Sequence, residues 1–179
     1  MNARKYLKQS AYRKIQKTPI EKLTVKDILE EAEVSKQTFY RYYQDKYALA
    51  NEIYFELTQQ GIIEPSQVNN EADWRRMYKQ QFACFREHLP FIKHLYTSRE
   101  TGCTLDFEIQ STIDFDKAYL KRKGADINDP RILFSLEAKD VGGTYAMRDW
   151  ILRDMDVDDE EMVERFHLII PQILVPYYE

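Results

Sequence analysis

Glycine and proline are scarce in this 179-residue chain, five and six in all, and no evenly spaced β-branched runs lie between turn clusters. That scarcity argues against sheets and leaves an all-helical fold as the default. Cysteine is scarcer still. Cys84 and Cys103, 19 positions apart and without metal-ligand spacing, are expected as buried free thiols rather than a bridge. No apolar run reaches the length that spans a bilayer, and the opening MNARKYLKQS has no apolar core behind its charges. A cytoplasmic protein with no membrane partner is therefore expected. Also missing are a Gly-rich phosphate loop, a metal-ligand cluster and a Ser or Cys nucleophile with a recognisable base nearby. The histidines, His88, His94 and His167, make no metal spacing and are expected as surface or hydrogen-bonded side chains. No catalytic residue, metal or cofactor is expected, which disfavours an enzyme.

What is present suits a packed protein. Hydrophobic residues make up 44% of the chain and aromatics 13%, thirteen of them Tyr, enough for a substantial core. The length fits one compact domain, or a small domain joined to a larger one. Charge is divided unevenly. Residues 1–50 hold 11 Lys and Arg against 6 Asp and Glu, a balance of +5, whereas residues 51–179 hold 15 against 24, a balance of −9. A charge run is often no more than a solvated helix face. Local positive potential also favours phosphate through counterion release, so the split fits nucleic-acid contact by the first third alone.

The most informative stretch is LTVKDILEEAEVSKQTFYRYYQDKYAL, Leu23 to Leu49. Thr24 is a good N-cap with Asp27 three residues on, and Leu23 and Ile28 occupy hydrophobic-staple positions, so a helix should start at Val25. Ser35 repeats the signal, with Val34 and Phe39 as its staple. Two short capped helices across a tight turn outline a helix-turn-helix, whose second helix offers its N-terminal side chains to the major groove. The segment resembles the DNA-binding signature of the TetR family of bacterial transcriptional regulators. It matches at Thr24, Val25, Asp27, Ile28, Ala32, Val34, Ser35, Thr38, Phe39, Tyr40, Tyr42, Lys46 and Leu49, with Tyr43 where Phe is more usual. Glu33 stands where the family prefers Gly, and Leu29 where a small residue is common. A non-Gly residue in a left-handed turn costs roughly 1 kcal/mol.

Spacing divides the labour in the second of these helices. Phe39 and Tyr43, i and i+4, should pack inward. Lys36, Gln37 and Thr38 form the first turn: Lys can donate to guanine, Gln can pair with adenine, and Thr can bond a base or touch a thymine methyl. Tyr40 and Tyr42 carry hydroxyls suited to phosphate, with ordinary packing as the bland alternative; the family resemblance implies phosphate contact at Tyr40. Lys26 is a cation at a helix N-terminus, which prefers negative charge. The resemblance implies a DNA phosphate or base as its compensation. Lys46, in the first turn of a helix capped by Asp45, adds charge to an anion-binding helix end. The DNA-facing set is thus Thr24, Lys26, Ser35, Lys36, Gln37, Thr38, Tyr40, Tyr42 and Lys46, with Lys5 and Lys8 as further phosphate candidates on the first helix.

About nine helices are expected. The first covers 3–17 and ends at Thr18-Pro19, and the next two follow the caps above. A fourth, near 46–60 and reaching Gly61, connects a DNA-binding domain at 1–47 to an effector-binding and dimerisation domain at 48–179. Asp73 should cap a fifth helix closed by Pro90, with a sixth over 91–99 and a seventh over 104–123. The eighth starts near Pro130, with Phe134, Ala138, Val141 and Tyr145 on one stripe and Gly142-Gly143 in its middle, where close helix contact or room for a ligand must offset roughly 1 kcal/mol per glycine. The ninth opens with Asp158 and Glu161 and carries Met162, Phe166, Ile169 and Ile173 as a coiled-coil seam, kinked by Pro171. Such a seam expects a partner helix. Tyr145, Met162, Phe166, Ile169 and Ile173 are the expected homodimer contacts, and the resemblance implies that helices eight and nine pair across a two-fold axis. It also implies a small-molecule cavity in the C-terminal core, whose lining is unassigned. The stretch GGTYAMRDWIL further resembles dihydroxyacetone kinase operon regulators. The expected function is a homodimeric repressor on a near-palindromic double-stranded DNA operator, released by a small-molecule effector. The alternative is a co-regulator or activator controlled by a protein partner.

Overall fold

Side-chain caps set where the helices begin. In a computed structural model that describes residues 2–59 and 64–178, Thr24, Ser35 and Asp45 each accept the backbone N–H three residues on, opening α2 (Val25–Ala32), α3 (Lys36–Tyr42) and α4 (Lys46–Thr58). Asp27 returns its carboxylate to the Thr24 amide at 2.7 Å, closing a capping box. α1 (Ala3–Ile15) precedes them, stopping two residues short of the expected end. No strand occurs among the described residues, and six more helices follow: α5 (Glu71–Glu87), α6 (Leu89–Tyr96), α7 (Thr104–Arg122), α8 (Pro130–Leu152), α9 (Asp159–Leu168) and the single-turn α10 (Val175–Tyr178). The expected end of the fourth helix at Gly61 lies outside the described residues.

Several boundaries differ from expectation, each for a local reason. Asn70, not Asp73, caps α5: its Oδ1 accepts from the Asp73 amide at 3.1 Å, while the Asp73 carboxylate turns back to the Asn69 amide at 2.9 Å. Pro90 does not close α5 but sits in the first turn of α6, where its missing N–H costs nothing. α6 ends at Tyr96, short of Arg99. α9 stops at Leu168 instead of continuing as a kinked seam. Pro171 starts a separate turn, its carbonyl accepting from the Leu174 amide at 2.8 Å, so Ile173 is not on α9 at all.

The main core crosses the domain boundary expected at 47/48. It runs from Leu7, Ala11 and Ile15 through Phe39, Leu49 and Tyr54 to Phe82, Phe91, Trp150 and Phe166 without a break. A smaller cluster around Trp74, Tyr119, Leu136 and Leu174 closes the far end of the body. α6 lies against both α1 and α8. The His94 ring donates from Nδ1 to the Ile15 carbonyl at 2.6 Å, and the Tyr12 hydroxyl meets His88 Nδ1 at 2.8 Å. On the other side Arg148, buried in α8, donates from Nε to the Tyr96 carbonyl at 3.0 Å. Both cysteines are free thiols, Cys103 buried and Cys84 partly so. No helix among the described residues is long and apolar enough to cross a membrane.

The turn between α2 and α3 carries the one strained feature of the head. Glu33 is left-handed, with φ 52 and ψ 39. Relieving a left-handed Cβ is worth about 1–2 kcal/mol, and the extra freedom of glycine in the unfolded chain returns about 0.5–1. Glu33→Gly is therefore expected to raise the unfolding free energy by about 0.5–1 kcal/mol in urea titrations; a loss of stability would show that the side chain is held by something other than the turn.

Candidate DNA-reading head and the cavity behind it

α3 separates an anchor from a tip. Phe39 and Tyr43 are buried on the inner face, while Lys36, Gln37, Tyr40, Arg41 and Tyr42 stand exposed. Tyr40 is half exposed and meets Phe39 edge-on, ring centroids 5.2 Å apart. Lys36 lies over the Tyr40 ring at 5.9 Å and Arg41 over the Tyr42 ring at 5.0 Å, so each cation is steered by an aromatic neighbour. Arg41 was not among the expected contacts. Its signal was the i+4 spacing from Gln37, which puts it on the outward face.

The other expected DNA contacts divide into caps and cations. Ser35 donates to the Thr38 hydroxyl at 2.9 Å and accepts the Thr38 amide at 3.1 Å, so these two hydroxyls are engaged with each other. Thr24 likewise donates to Asp27 at 2.6 Å, and its hydroxyl and amide together hold that carboxylate below the usual range. Lys26 is exposed, 3.6 Å from Glu30 one turn along. Lys46 departs from the open anion-binding geometry expected of it. Its ammonium donates to the Leu23 carbonyl at 2.8 Å and the Glu21 carbonyl at 3.2 Å, tying the start of α4 to the approach into α2.

Much of the positive charge on α1 is neutralised within the chain. Arg4 meets Glu52 at 2.6 Å, Lys8 meets Glu56 at 2.5 Å and Glu52 at 3.2 Å, and Arg13 meets Glu31 at 2.5 Å. Exposed pairs of this kind are worth about 0–1 kcal/mol each, but they lower the outward field. Lys8 is thus engaged with α4. On α3 neither Lys36 nor Arg41 enters an ion pair among the described residues and both are exposed, so this helix presents an unneutralised cationic tip.

The expected dimer contacts separate cleanly. Tyr145, Ile169 and Ile173 are exposed, as are Phe134, Val141 and Leu168, with Phe134 at 74% the most uncovered apolar side chain of α8. Met162 and Phe166, by contrast, are only 4% and 9% exposed and point into their own chain. Phe166 stacks on Tyr78 with centroids 5.2 Å apart and 10° between planes. Arg75 of α5 also meets α9, through Glu164 at 2.6 Å and Glu160 at 3.3 Å, on the chain's own surface. A Cβ on Gly143 would meet Ile169 Cδ1 at 3.3 Å and Phe166 Cε1 at 3.5 Å, which accounts for glycine there by close helix approach; Gly142 faces open space.

Behind the head, α5, α7, α8, α9 and α10 line a partly open cavity of about 150 Å³. Trp74, Met77, Tyr78, Phe115, Met147 and Phe166 form its apolar wall. Into it project the buried Lys139, Asp116 and Asp140, with the ammonium 2.6 Å from Asp116 and 2.5 Å from Asp140. Tyr178 donates to Asp116 at 2.8 Å. Asp140 Oδ2 and Trp74 Nε1 are buried with no hydrogen-bond partner among the described residues. Burial works against the charge on Lys139, but Asp116, Tyr178 and Asp140 outweigh it and keep the ammonium protonated. Burial, and then the neighbouring Asp116, push the Asp140 carboxyl up to about 7 against the pull of Lys139. Burial also raises Glu108, which Gln81 contacts at 3.1 Å. The sequence did hold a signal, the adjacent Lys139-Asp140 pair inside a largely apolar helix.

A raised carboxyl has a definite sign in the pH dependence. The folded state holds the Asp140 proton more tightly than the unfolded state, so this stabilisation is complete below the ordinary aspartate value and is lost as pH rises towards about 7. Asp140→Asn is therefore expected to gain stability relative to the parent chain as pH moves from about 5 to about 8, followed by urea denaturation. A difference independent of pH would place the proton elsewhere in the cluster.

Comparison with known proteins bears on both parts. Residues 9–53, spanning the second half of α1, all of α2 and α3 and the first half of α4, match the family described as bacterial regulatory proteins, tetR family. Among curated proteins nothing matches the chain. Among solved structures, the Dihydroxyacetone kinase operon activator DhaS superposes with a TM-score of 0.63 over 97% of this chain and 97% of its own, at 17% identity. At that identity the likeness concerns the fold alone. The head built by residues 9–53 matches the tetR-family DNA-binding domain, and the chain is a DNA-binding transcriptional regulator.

Proposed function

We propose that the chain acts as a homodimeric repressor that holds a near-palindromic operator through α3 and releases it when an effector enters the body cavity. The observation that carries this reading is the exposed first turn of α3, Lys36 and Gln37, mounted on the buried anchors Phe39 and Tyr43. In this reading residues 1–47 are the reading domain and residues 48–179 the effector and dimerisation domain. Two copies joined through the apolar face of Tyr145, Val141, Phe134, Ile169 and Ile173 set their α3 tips one helical turn of DNA apart, about 34–36 Å. Lys36 and Gln37 read base edges, while Tyr40, Tyr42, Arg41 and Lys26 meet phosphate. Lys46 acts indirectly, by fixing α4 against the approach to α2 through its two carbonyl contacts. A regulator of this fold works by binding rather than by chemistry.

Release requires the effector to prefer the DNA-free arrangement, since equal affinity for both states shifts nothing. A physical route is available from the cavity wall on α8, through Arg148 to the last carbonyl of α6, and through His94 to the last carbonyl of α1. The second reading, an activator or co-regulator working with a protein partner, is favoured by the name of the structural neighbour, an operon activator. The two part on whether the purified chain binds duplex DNA alone and lets go on adding a small molecule.

Selection of bound sequences from a random duplex pool, followed by anisotropy titration, tests the head. Lys36→Ala and Gln37→Ala are expected to lose about 1–3 kcal/mol of discrimination at particular base pairs, whereas an equal loss on every sequence would contradict a reading role. Arg41→Ala is expected to weaken all sequences alike and to shrink the slope of log affinity against log salt by about 1. An unchanged slope would remove Arg41 from phosphate. For the interface, Tyr145→Glu is expected to yield monomers in sedimentation and to abolish operator binding at concentrations where the parent is dimeric; a parent chain that sediments as a monomer would overturn the two-fold arrangement.

A further inference from the structure

We infer that the cavity takes a small organic ammonium ion with a compact apolar or aromatic body, its N–H donating to the free Oδ2 of Asp140. This rests on the proposed reading of the cavity as an effector site and specifies what enters it. The argument begins with charge. At the polar end Asp116 and Asp140 face one ammonium, Lys139, all three side chains less than a tenth exposed, and once Asp140 ionises, which burial and Asp116 delay to about pH 7, two carboxylates oppose a single cation. One added cation closes that count, whereas an anion would deepen the imbalance. Glu108 lines the same cavity and Arg75 is already committed to Glu71, Glu160 and Glu164, so beyond the His167 imidazole no uncommitted basic side chain lines the site to receive an acidic ligand.

Hydrogen bonding narrows the class further. Asp140 Oδ1 is taken by Lys139, but Oδ2 is buried without a partner, an arrangement that costs about 1–3 kcal/mol or more for a charged acceptor. A ligand donor relieves it. The wall is aromatic, with Trp74, Tyr78, Phe115, Phe166 and Tyr178 around the void, which suits a cation by its ring faces and an apolar body by desolvation. A polyol fits less well, because only one other buried side-chain atom, the Trp74 indole N–H, lacks a partner among the described residues, and the remaining hydroxyls would be stranded. Size sets the limit. A cavity of about 150 Å³ is the scale that accommodates a benzene ring, so the part of the ligand seated within it is a single ring or its aliphatic equivalent.

The test uses the full chain with benzylamine, and with benzyl alcohol and glycerol as a neutral isostere and a polyol, followed by calorimetry and by thermal shift. Benzylamine is expected to bind about tenfold or more tightly than benzyl alcohol at neutral pH. In Asp140→Asn that preference is expected to vanish while benzyl alcohol binding persists, since the ring pocket is left intact. The comparison of the two probes on the parent chain stands even if the variant fails to fold. Equal binding of amine and alcohol, tighter binding of glycerol, or no binding of any probe would overturn the ammonium assignment. Operator binding measured in the same samples separates this from the effector reading. Benzylamine that binds by the Asp140-dependent preference but leaves DNA affinity unchanged supports the ligand class and sinks the effector role; a non-basic compound that binds the cavity and releases DNA supports the role and sinks the class.

Discussion

The guanidinium of Arg148 donates to the carbonyl of Tyr96 at the end of α6, and the ring of His94 donates to the carbonyl of Ile15 at the end of α1. Both acceptors belong to last helical turns, where backbone carbonyls have no partner within the helix. Each bond therefore satisfies an orphan group at a junction. Removing either donor would strand a carbonyl, and removing only the Tyr96 contact would also strand part of a buried cation. α6 is only eight residues long, so these two bonds, with Phe91, Ile92 and Leu95 wholly buried between them, fix how α1 lies relative to α8. Because packed interiors are not continuously deformable, a shift of α8 is passed to α1 or resisted outright. The position of the head follows from that constraint.

The cavity is the counterpoint to this packing. Elsewhere the large aromatic side chains fill their space, Phe82 against Trp150 at 4.8 Å and Tyr54 bonded to Tyr96 at 2.9 Å. Between α5, α7 and α8 the chain leaves a void, lines it with rings and sets an ion triad at one end. A buried triad is weak support for stability, since desolvation offsets most of its attraction. The second core cluster touches this region through Trp74 and Met77, so the void sits where two well-packed bodies of side chains meet. Stability alone gives no reason to keep two unsatisfied polar atoms there.

How much of this was legible in the sequence depended on range. Caps are local, and Thr24, Ser35, Asp45 and Asp158 all begin helices where the residues said they would, as does Pro130 behind Asp129. The inward pair Phe39 and Tyr43 and the left-handed Glu33 were equally local. What escaped was decided by partners far along the chain. Lys8 and Arg4 look like a basic arm until α4 brings Glu52 and Glu56 to them, 48 residues or so away. Lys46 looks open until the carbonyls before α2 close on it. Met162 and Phe166 share the spacing of an interface seam, but periodicity reports only that a face is apolar, not which neighbour covers it. Here α5 covers it from within the same chain. The cavity was least visible, because Trp74, Asp116, Lys139 and Tyr178 come from four helices.

α8 joins these separate features. Its inner face carries Lys139, Asp140, Gly143, Thr144 and Met147 to the cavity, and its outer face carries Phe134, Val141 and Tyr145 to the surface proposed for a second copy. Ile169 belongs to both: it lines the void, lies against Gly143 and remains 43% exposed. A rigid helix cannot adjust one face without moving the other. Filling the void would press on the inner face of α8 and on Ile169 together, and the proposed two-fold contact would feel the displacement directly. The same helix reaches α6 through Arg148, so in the proposed dimer occupancy, subunit separation and the set of the head would be three readings of one coordinate, the placement of α8. Coupling of this kind needs no long wire of side chains, only a single element with two positions that ligand, partner and DNA each weight differently.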